Sequence, residues 1–244
     1  MLRTETTAGV PIVVDAEAQR DGILVAFAGR DGGVSRPPYD SLNLSSSVGD
    51  DDAAVDENRQ RAAAALGLSP DRLVLARQVH GSEVIEVRPG DAGVVGACDV
   101  LVSRSPGPVV TILTADCVPI VLRGRSGIAA VHAGWRGLVA GAVAAAAAEV
   151  EPITTAWVGP SIHACCYEVG REVVDAFERA GLPVAARDRV DPGRAAVVAL
   201  RRLGVVDVRP VDACTSCDTA YFSYRRDGIT GRQGSFAAFV EPDR

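Results

Sequence analysis

Histidine is scarce in this 244-residue chain, which has only three. His80 sits in RQVHGSEV, Cys117 in TADCVPIVL and His132 in AAVHAGWRG. Each lies in or just after a β-like segment, beside a turn residue or an acidic residue. Two imidazoles and a thiolate suit zinc, a borderline-soft ion that takes nitrogen and sulfur without a geometric preference of its own. Three protein ligands would leave the fourth tetrahedral position for water or substrate, as in catalytic rather than structural sites. No CxxC or HExxH pattern joins the three. Residue types alone therefore leave a second account open: a buried structural cysteine, and histidines satisfied by backbone carbonyls.

Other residues could act beside this set. In AAVHAGWRG a strand ends at His132, and Gly134 and Gly137 let the backbone turn tightly and approach a ligand. A helix follows, with free N–H groups and a positive dipole end, and Arg136 stands at its start, where it could hold phosphate or simply form a surface ion pair. Asp116 precedes Cys117 and could serve as an outer-shell carboxylate, a general acid/base or a structural cap.

Composition narrows the field. Net charge is −6 and the pI about 5.1, which argues against affinity for nucleic acid backbone. The chain has no lysine, so Schiff-base catalysis and Walker-type phosphate binding are excluded. No apolar run is long enough to span a bilayer, and the N-terminal segment lacks the pattern of a signal peptide, so the cytoplasm is the expected compartment. Six cysteines in a chain of this length read as reduced thiols rather than a disulfide framework.

The elements that must position these residues read as follows. VPIVVDAE and GILVAFAGR are two early strands, the second ending in a long glycine-rich loop from Gly29 to Asp52. Asp50 to Asp52 cap a helix that ends at Gly67. LVLARQVHG and EVIEVRPG look like a strand pair around Gly81. PVVTILTADCVPIVLRG and GIAAVHAGW are further strands, apolar enough to be buried on both faces. A helix is expected from about Leu138 to Val150, then a strand in TTAWVGPSI. Two more helices follow, in GREVVDAFERAG and PGRAAVVALRRLG, separated by a modest loop at Ala185 to Pro192. VVDVRPVD is a short strand, and the tail runs to a last apolar strand. Strands outnumber helices without strict βαβ alternation, so a single α+β domain over residues 1–244, with mixed sheets flanked by helices, is the expected architecture.

The segments GRDGGVSRPPYDSLNL, VGDDDAAVDENR, RQVHG, TADCVPIVL, AAVHAGWRG, VGPSIHACCYEVG and DACTSCDTAYFSYRRDGITGRQGS, in that order, resemble the laccase-domain family of bacterial proteins. That family was first described as polyphenol or multicopper oxidases and later as zinc-dependent purine nucleoside phosphorylases with adenosine deaminase activity. The resemblance implies a fold like that of the cytotoxic necrotizing factor deamidases. It implies zinc (or copper) on His80, Cys117 and His132, and catalytic roles for Cys117, Asp116 and Arg136. It implies substrate contacts from Arg30, Asn43 and Arg226, with Arg225 and Arg232 in the same cationic cluster. Purine nucleosides and phosphate would be the partners, and methylthioadenosine a further substrate. Asp99 matches a family aspartate and could be a structural cap. The alternatives are a copper polyphenol oxidase and a cysteine amidase acting on a peptidoglycan precursor through Cys117. The chain departs from the family at Ser47, where histidine is common, and at His163, which reads as incidental. Cys214 and Cys217 form a CxxC without a second pair, so a structural zinc knuckle is not expected.

Overall fold

The computed structural model describes residues 1–241. In chain order its strands are β1 (Leu2–Thr7), β2 (Val10–Asp15), β3 (Ile23–Ala28), β4 (Leu73–Arg77), β5 (Val84–Val87), β6 (Gly93–Ala97), β7 (Val100–Ser103) and β8 (Val109–Thr114). They continue with β9 (Val118–Gly124), β10 (Gly127–Ala133), β11 (Ile153–Val158), β12 (Val184–Ala186), β13 (Arg189–Val190), β14 (Asp207–Pro210) and β15 (Gln233–Phe239). The helices are α1 (Ala16–Arg20), α2 (Asp52–Ala65), α3 (Trp135–Ala140), α4 (Ala142–Val150), α5 (Arg171–Arg179), α6 (Pro192–Arg202) and α7 (Tyr224–Asp227).

Two mixed sheets carry the fold. The first has seven strands in the order β1-β2-β3-β15-β8-β4-β6, the second six in the order β14-β11-β9-β10-β7-β5. Strand alternation sorts the apolar residues into layers. Ile23, Val25 and Phe27 of β3 face one way, into a cluster with Leu101, Val121, Ile128, Ala130 and Trp157 of the second sheet. Leu24, Ala26 and Ala28 face the other way, against Ala62, Ala63 and Ala65 of α2. The far face of the second sheet packs Val100, Ile120, Leu122, Val131 and Val158 against residues of α4, α5 and α6. The result is an α+β fold of two stacked sheets with helices outside each, and the sequence pattern of two-sided burial follows from it.

The structure departs from the sequence reading in four places. β4 and β5 are not a pair: β4 lies between β8 and β6 in the first sheet, whereas β5 pairs in parallel with β7 in the second. The segment carrying His80 is thus a crossover between sheets. The helix expected from Leu138 to Val150 begins at Trp135 and is split at Gly141, whose φ of +84° ends α3 and starts α4. β1, β6, β7 and the small helices α1 and α7 add to the expected elements: β1 is polar and largely exposed, the others span only four or five residues, and α1 takes over the end of the segment expected as a strand in VPIVVDAE. The loop at Ala185 to Pro192 contains the β12–β13 hairpin.

Candidate metal centre and active cleft

Asp99 organises the centre. It lies fully buried just before β7. Its carboxylate accepts the N–H groups of Val79 (3.2 Å), His80 (3.0 Å) and Gly81 (2.6 Å), wrapping the crossover loop around one anion. The same carboxylate meets Nδ1 of His132 at 2.7 Å, and the Asp99 carbonyl accepts the His132 N–H at 2.8 Å. Burial would raise the Asp99 pKa, but the bonds from His132, Gly81 and His80 outweigh it and hold the carboxyl below its ordinary value. With Nδ1 of His132 engaged, Nε2 is left as its ligand atom, the usual arrangement of a carboxylate–histidine–metal relay.

Cys117 lies on the turn where the chain passes from β8 of the first sheet to β9 of the second, and His132 lies near the end of β10, which pairs antiparallel with β9 and sets His132 opposite Pro119. Nε2 of His80 is 3.9 Å from Cys117 Sγ, and the two imidazole rings stand edge to face with centroids 4.8 Å apart. The three ligand atoms all lie within 4.8 Å of one another. Bond lengths of about 2.0 Å to nitrogen and 2.3 Å to sulfur put two nitrogens and a sulfur roughly 3.3–3.5 Å apart around tetrahedral zinc, so small side-chain rotations would close the set. Gly134 makes room: a Cβ there would sit 2.8 Å from His80 Cδ2 and 3.1 Å from Cys117 Sγ. The backbone is strained at the same place. His80 has φ +61° and Asp116 has φ +93°, two of the three non-glycine residues with positive φ among those described.

The electrostatics favour a thiolate. Burial opposes it at Cys117, but the charge and hydrogen bonds of His132 and His80 outweigh burial and lower the thiol to about 6. Burial likewise opposes protonation of His132, yet Cys117 and Asp99 raise that imidazole to about 9.

The centre opens into a cleft of about 900 Å³. Arg59, Arg77, Arg136, Arg225 and Arg232 line it, along with Trp135, Tyr167 and Tyr224. The Arg136 guanidinium stacks on Trp135 at 4.3 Å, and that of Arg225 on Tyr167 at 5.0 Å. Neither makes an ion pair with a carboxylate among the described residues. α3 is only six residues long, so the positive potential at this end of the cleft comes from Arg136 more than from a helix dipole. Asp116 also lines the cleft, but both its oxygens are occupied: Thr215 Oγ1 donates to one at 2.7 Å and the Arg225 N–H to the other at 2.7 Å. It fixes two loops around the cleft.

Arg30, Asn43 and Arg226, expected at the substrate, stand outside the lining of this cleft. Asn43 is fully buried and donates to Ser45 O and Asp50 Oδ2 while accepting from the N–H groups of Ser45 and Arg232. Arg30 pairs with Asp40 at 3.2 Å and lies over Phe222. Arg226 donates to the carbonyls of Thr215 and Tyr221 and pairs with Asp227 at 2.8 Å. All three organise loops. Of the cationic cluster, Arg225 and Arg232 reach the cleft. Arg59, Arg77, Tyr167 and Gln78 also line it without having been expected, because no periodicity or motif marks a residue at a strand end as facing a cleft.

Comparison with known proteins bears on this arrangement. The sequence profile described as multi-copper polyphenol oxidoreductase laccase matches residues 24–240. The chain belongs to this laccase family. Its relatives include the purine nucleoside phosphorylase YfiH of Escherichia coli, 39% identical over 239 residues, covering 92% of this chain and 97% of the relative. The purine nucleoside phosphorylase ORF3 of Streptomyces griseus is 40% identical over 228 residues, covering 86% and 92%. Among solved structures, YlmD from Geobacillus stearothermophilus superposes with a TM-score of 0.89 at 30% identity over 98% of this chain and 99% of that one. The expected α+β fold is therefore found in this chain and in its structural relatives.

Proposed function

We propose that the protein is a purine nucleoside phosphorylase with a zinc ion held by His80, Cys117 and His132. The observation that carries this reading is the shared cleft: the ligand set opens onto the same space as five arginines and three aromatic side chains. The names of the relatives agree with it. Phosphate would lie between Arg136 and Arg225, whose guanidinium planes suit bidentate contacts to its oxygens. A purine would stack on the aromatic wall of Trp135 and Tyr167. Phosphate oxygen attacks the anomeric carbon as the bond to the base breaks, giving ribose 1-phosphate and a base that takes up a proton. Positive charge develops on the sugar, and the bound phosphate dianion stabilises it. When bound, zinc would supply the Lewis-acid chemistry that hydrolytic deamination of adenosine needs, so adenosine deaminase activity and cleavage of methylthioadenosine belong to the same proposal.

Inosine and phosphate given to the zinc-loaded protein should yield hypoxanthine and ribose 1-phosphate in equal amounts. Failure to release base would overturn the proposal. Copper oxidation of phenols is disfavoured, because three histidines cannot furnish both a blue and a trinuclear centre. One observation favours a second reading: Cys117, His132 and Asp99 have the order of a nucleophile, base and orienting acid. A cysteine amidase built on them would retain turnover after chelation and lose it on alkylation.

A further inference from the structure

All six cysteines are free thiols, and four of them gather in a group separate from the His-Cys-His centre, outside the lining of the cleft. The partner that the CxxC of Cys214 and Cys217 lacks in sequence is the adjacent pair Cys165 and Cys166. The backbone brings them together. β11 and β14 run parallel from Thr155↔Asp207 to Val158↔Pro210, and the pairing resumes beyond the strands as the bridge Ser161↔Cys214. The Ser161 carbonyl accepts the Thr215 N–H at 3.1 Å, so the two cysteine-bearing loops are held side by side by main-chain bonds.

The sulfurs converge on one point. Cys166 lies 3.2 Å from Cys217, Cys165 lies 3.5 Å from Cys217 and 3.6 Å from Cys214, and all four lie within 4.8 Å of one another. A zinc ion with four bonds of about 2.3 Å places its sulfurs roughly 3.8 Å apart, close to these separations. Two disulfides would instead divide the four into bonded pairs at about 2.05 Å. The surroundings suit a site of net charge −2. The His163 N–H points at Cys214 Sγ at 3.4 Å, and Arg189 donates to the carbonyls of Ala164 and Cys165, which brings a guanidinium beside the sulfurs. Cys165 and Cys217 are exposed, so an ion can enter.

We propose that Cys165, Cys166, Cys214 and Cys217 form a second metal site, a closed tetrathiolate centre for zinc. Its role is structural, since no position is left open for substrate. It pins the loops from which Thr215 Oγ1 holds the Asp116 carboxylate and the Ile162 N–H holds the Asp116 carbonyl. Tyr167, next in the chain to Cys166, lines the cleft. The expectation that a zinc knuckle is absent is thereby replaced. This proposal does not depend on which reaction the cleft performs.

Metal content by elemental analysis tests it, on full-length protein isolated under reducing conditions from zinc-supplemented cells. The wild type should carry about two equivalents of zinc. Cys166→Ser with Cys217→Ser should lose one and keep the other; His80→Ala with His132→Ala should do the reverse. Cobalt added to that histidine variant, after its zinc has been stripped by chelator under reducing conditions, should give the intense sulfur-to-metal absorption of a tetrahedral thiolate site, a readout that survives if the cysteine variant fails to fold. Unchanged zinc in a folded cysteine variant, absence of that cobalt band, or an intact mass showing disulfides among these four residues would each overturn the assignment.

Discussion

The Asp99 carboxylate holds the loop of Val79, His80 and Gly81 on one side and the His132 imidazole on the other, so one buried anion positions two of the three residues proposed to bind metal. Asp99→Asn should lower zinc affinity by about 10–100-fold, measured by competition with a chromophoric chelator, with a smaller effect on folding. Gly134→Ala should empty the centre more completely, because its methyl group would press on His80 and Cys117. In the metal-free protein, Cys117 should be alkylated by iodoacetamide at a rate that rises through about pH 6 and then levels, since the thiolate predominates above its lowered pKa. Peptide mass spectrometry resolves this residue from the other cysteines. A rise delayed to about pH 8.5, the ordinary thiol value, would contradict the pairing with His132. At this scale the scarcity of histidine drew attention to His80, Cys117 and His132 but left a structural account open; the family resemblance is what joined the three into one set. Asn43, Arg30 and Arg226, expected at the substrate, organise loops outside the cleft lining; such loops use the same amides and guanidiniums that bind substrates, and only the partners tell the two apart.

Strands with two apolar faces, such as β3, β8, β9 and β10, announce themselves by composition, and the capped helix α2 by its acidic start and terminal glycine. Pairing is less legible. β4 and β5 are close in sequence, which suggests a hairpin, yet the Asp99-bound turn between them sends the chain from one sheet to the other. The break at Gly141 was hidden in an alanine-rich run that has high helix propensity throughout. Close approach of elements gives a sharp test. At Gly124, where β9 ends, a Cβ would meet the Val150 carbonyl oxygen at 1.5 Å, so Gly124→Ala must move α4 off the sheet. It should cost about 3 kcal/mol or more in urea unfolding, whereas Gly141→Ala, with open space around it, should cost only the left-handed backbone, about 1 kcal/mol.

Across the whole molecule, Asp15 ties the two sheets together. It ends β2, is fully buried on its side chain, and accepts from Trp157 Nε1 of β11 at 2.8 Å and from Arg209 of β14 at 2.7 Å. Burial would raise its pKa, but bonds from the amino terminus, Trp157 and Arg209 outweigh it and hold the carboxyl well below the carboxylate range. A depressed acid stabilises the fold above its unfolded value, about pH 4, and that contribution is lost as pH falls. The melting temperature should therefore drop between pH 5 and pH 3 more steeply in the wild type than in Asp15→Asn, and Asp15→Ala should cost about 2 kcal/mol at neutral pH by leaving the buried Trp157 Nε1–H without an acceptor, while Arg209 keeps Asp207 and Glu17. None of this was visible in sequence, because the three residues lie far apart along the chain and meet only when the sheets stack. The same stacking gathers His80, Cys117 and His132 from three separate segments, and their convergence on one ion is the claim from which the functional reading grows. Anomalous diffraction at the zinc edge, from crystals of zinc-replete protein, tests it directly. The account predicts a peak bonded to Nε2 of His80, Sγ of Cys117 and Nε2 of His132, facing the arginine-lined cleft. A map with those three atoms bare of metal would contradict it.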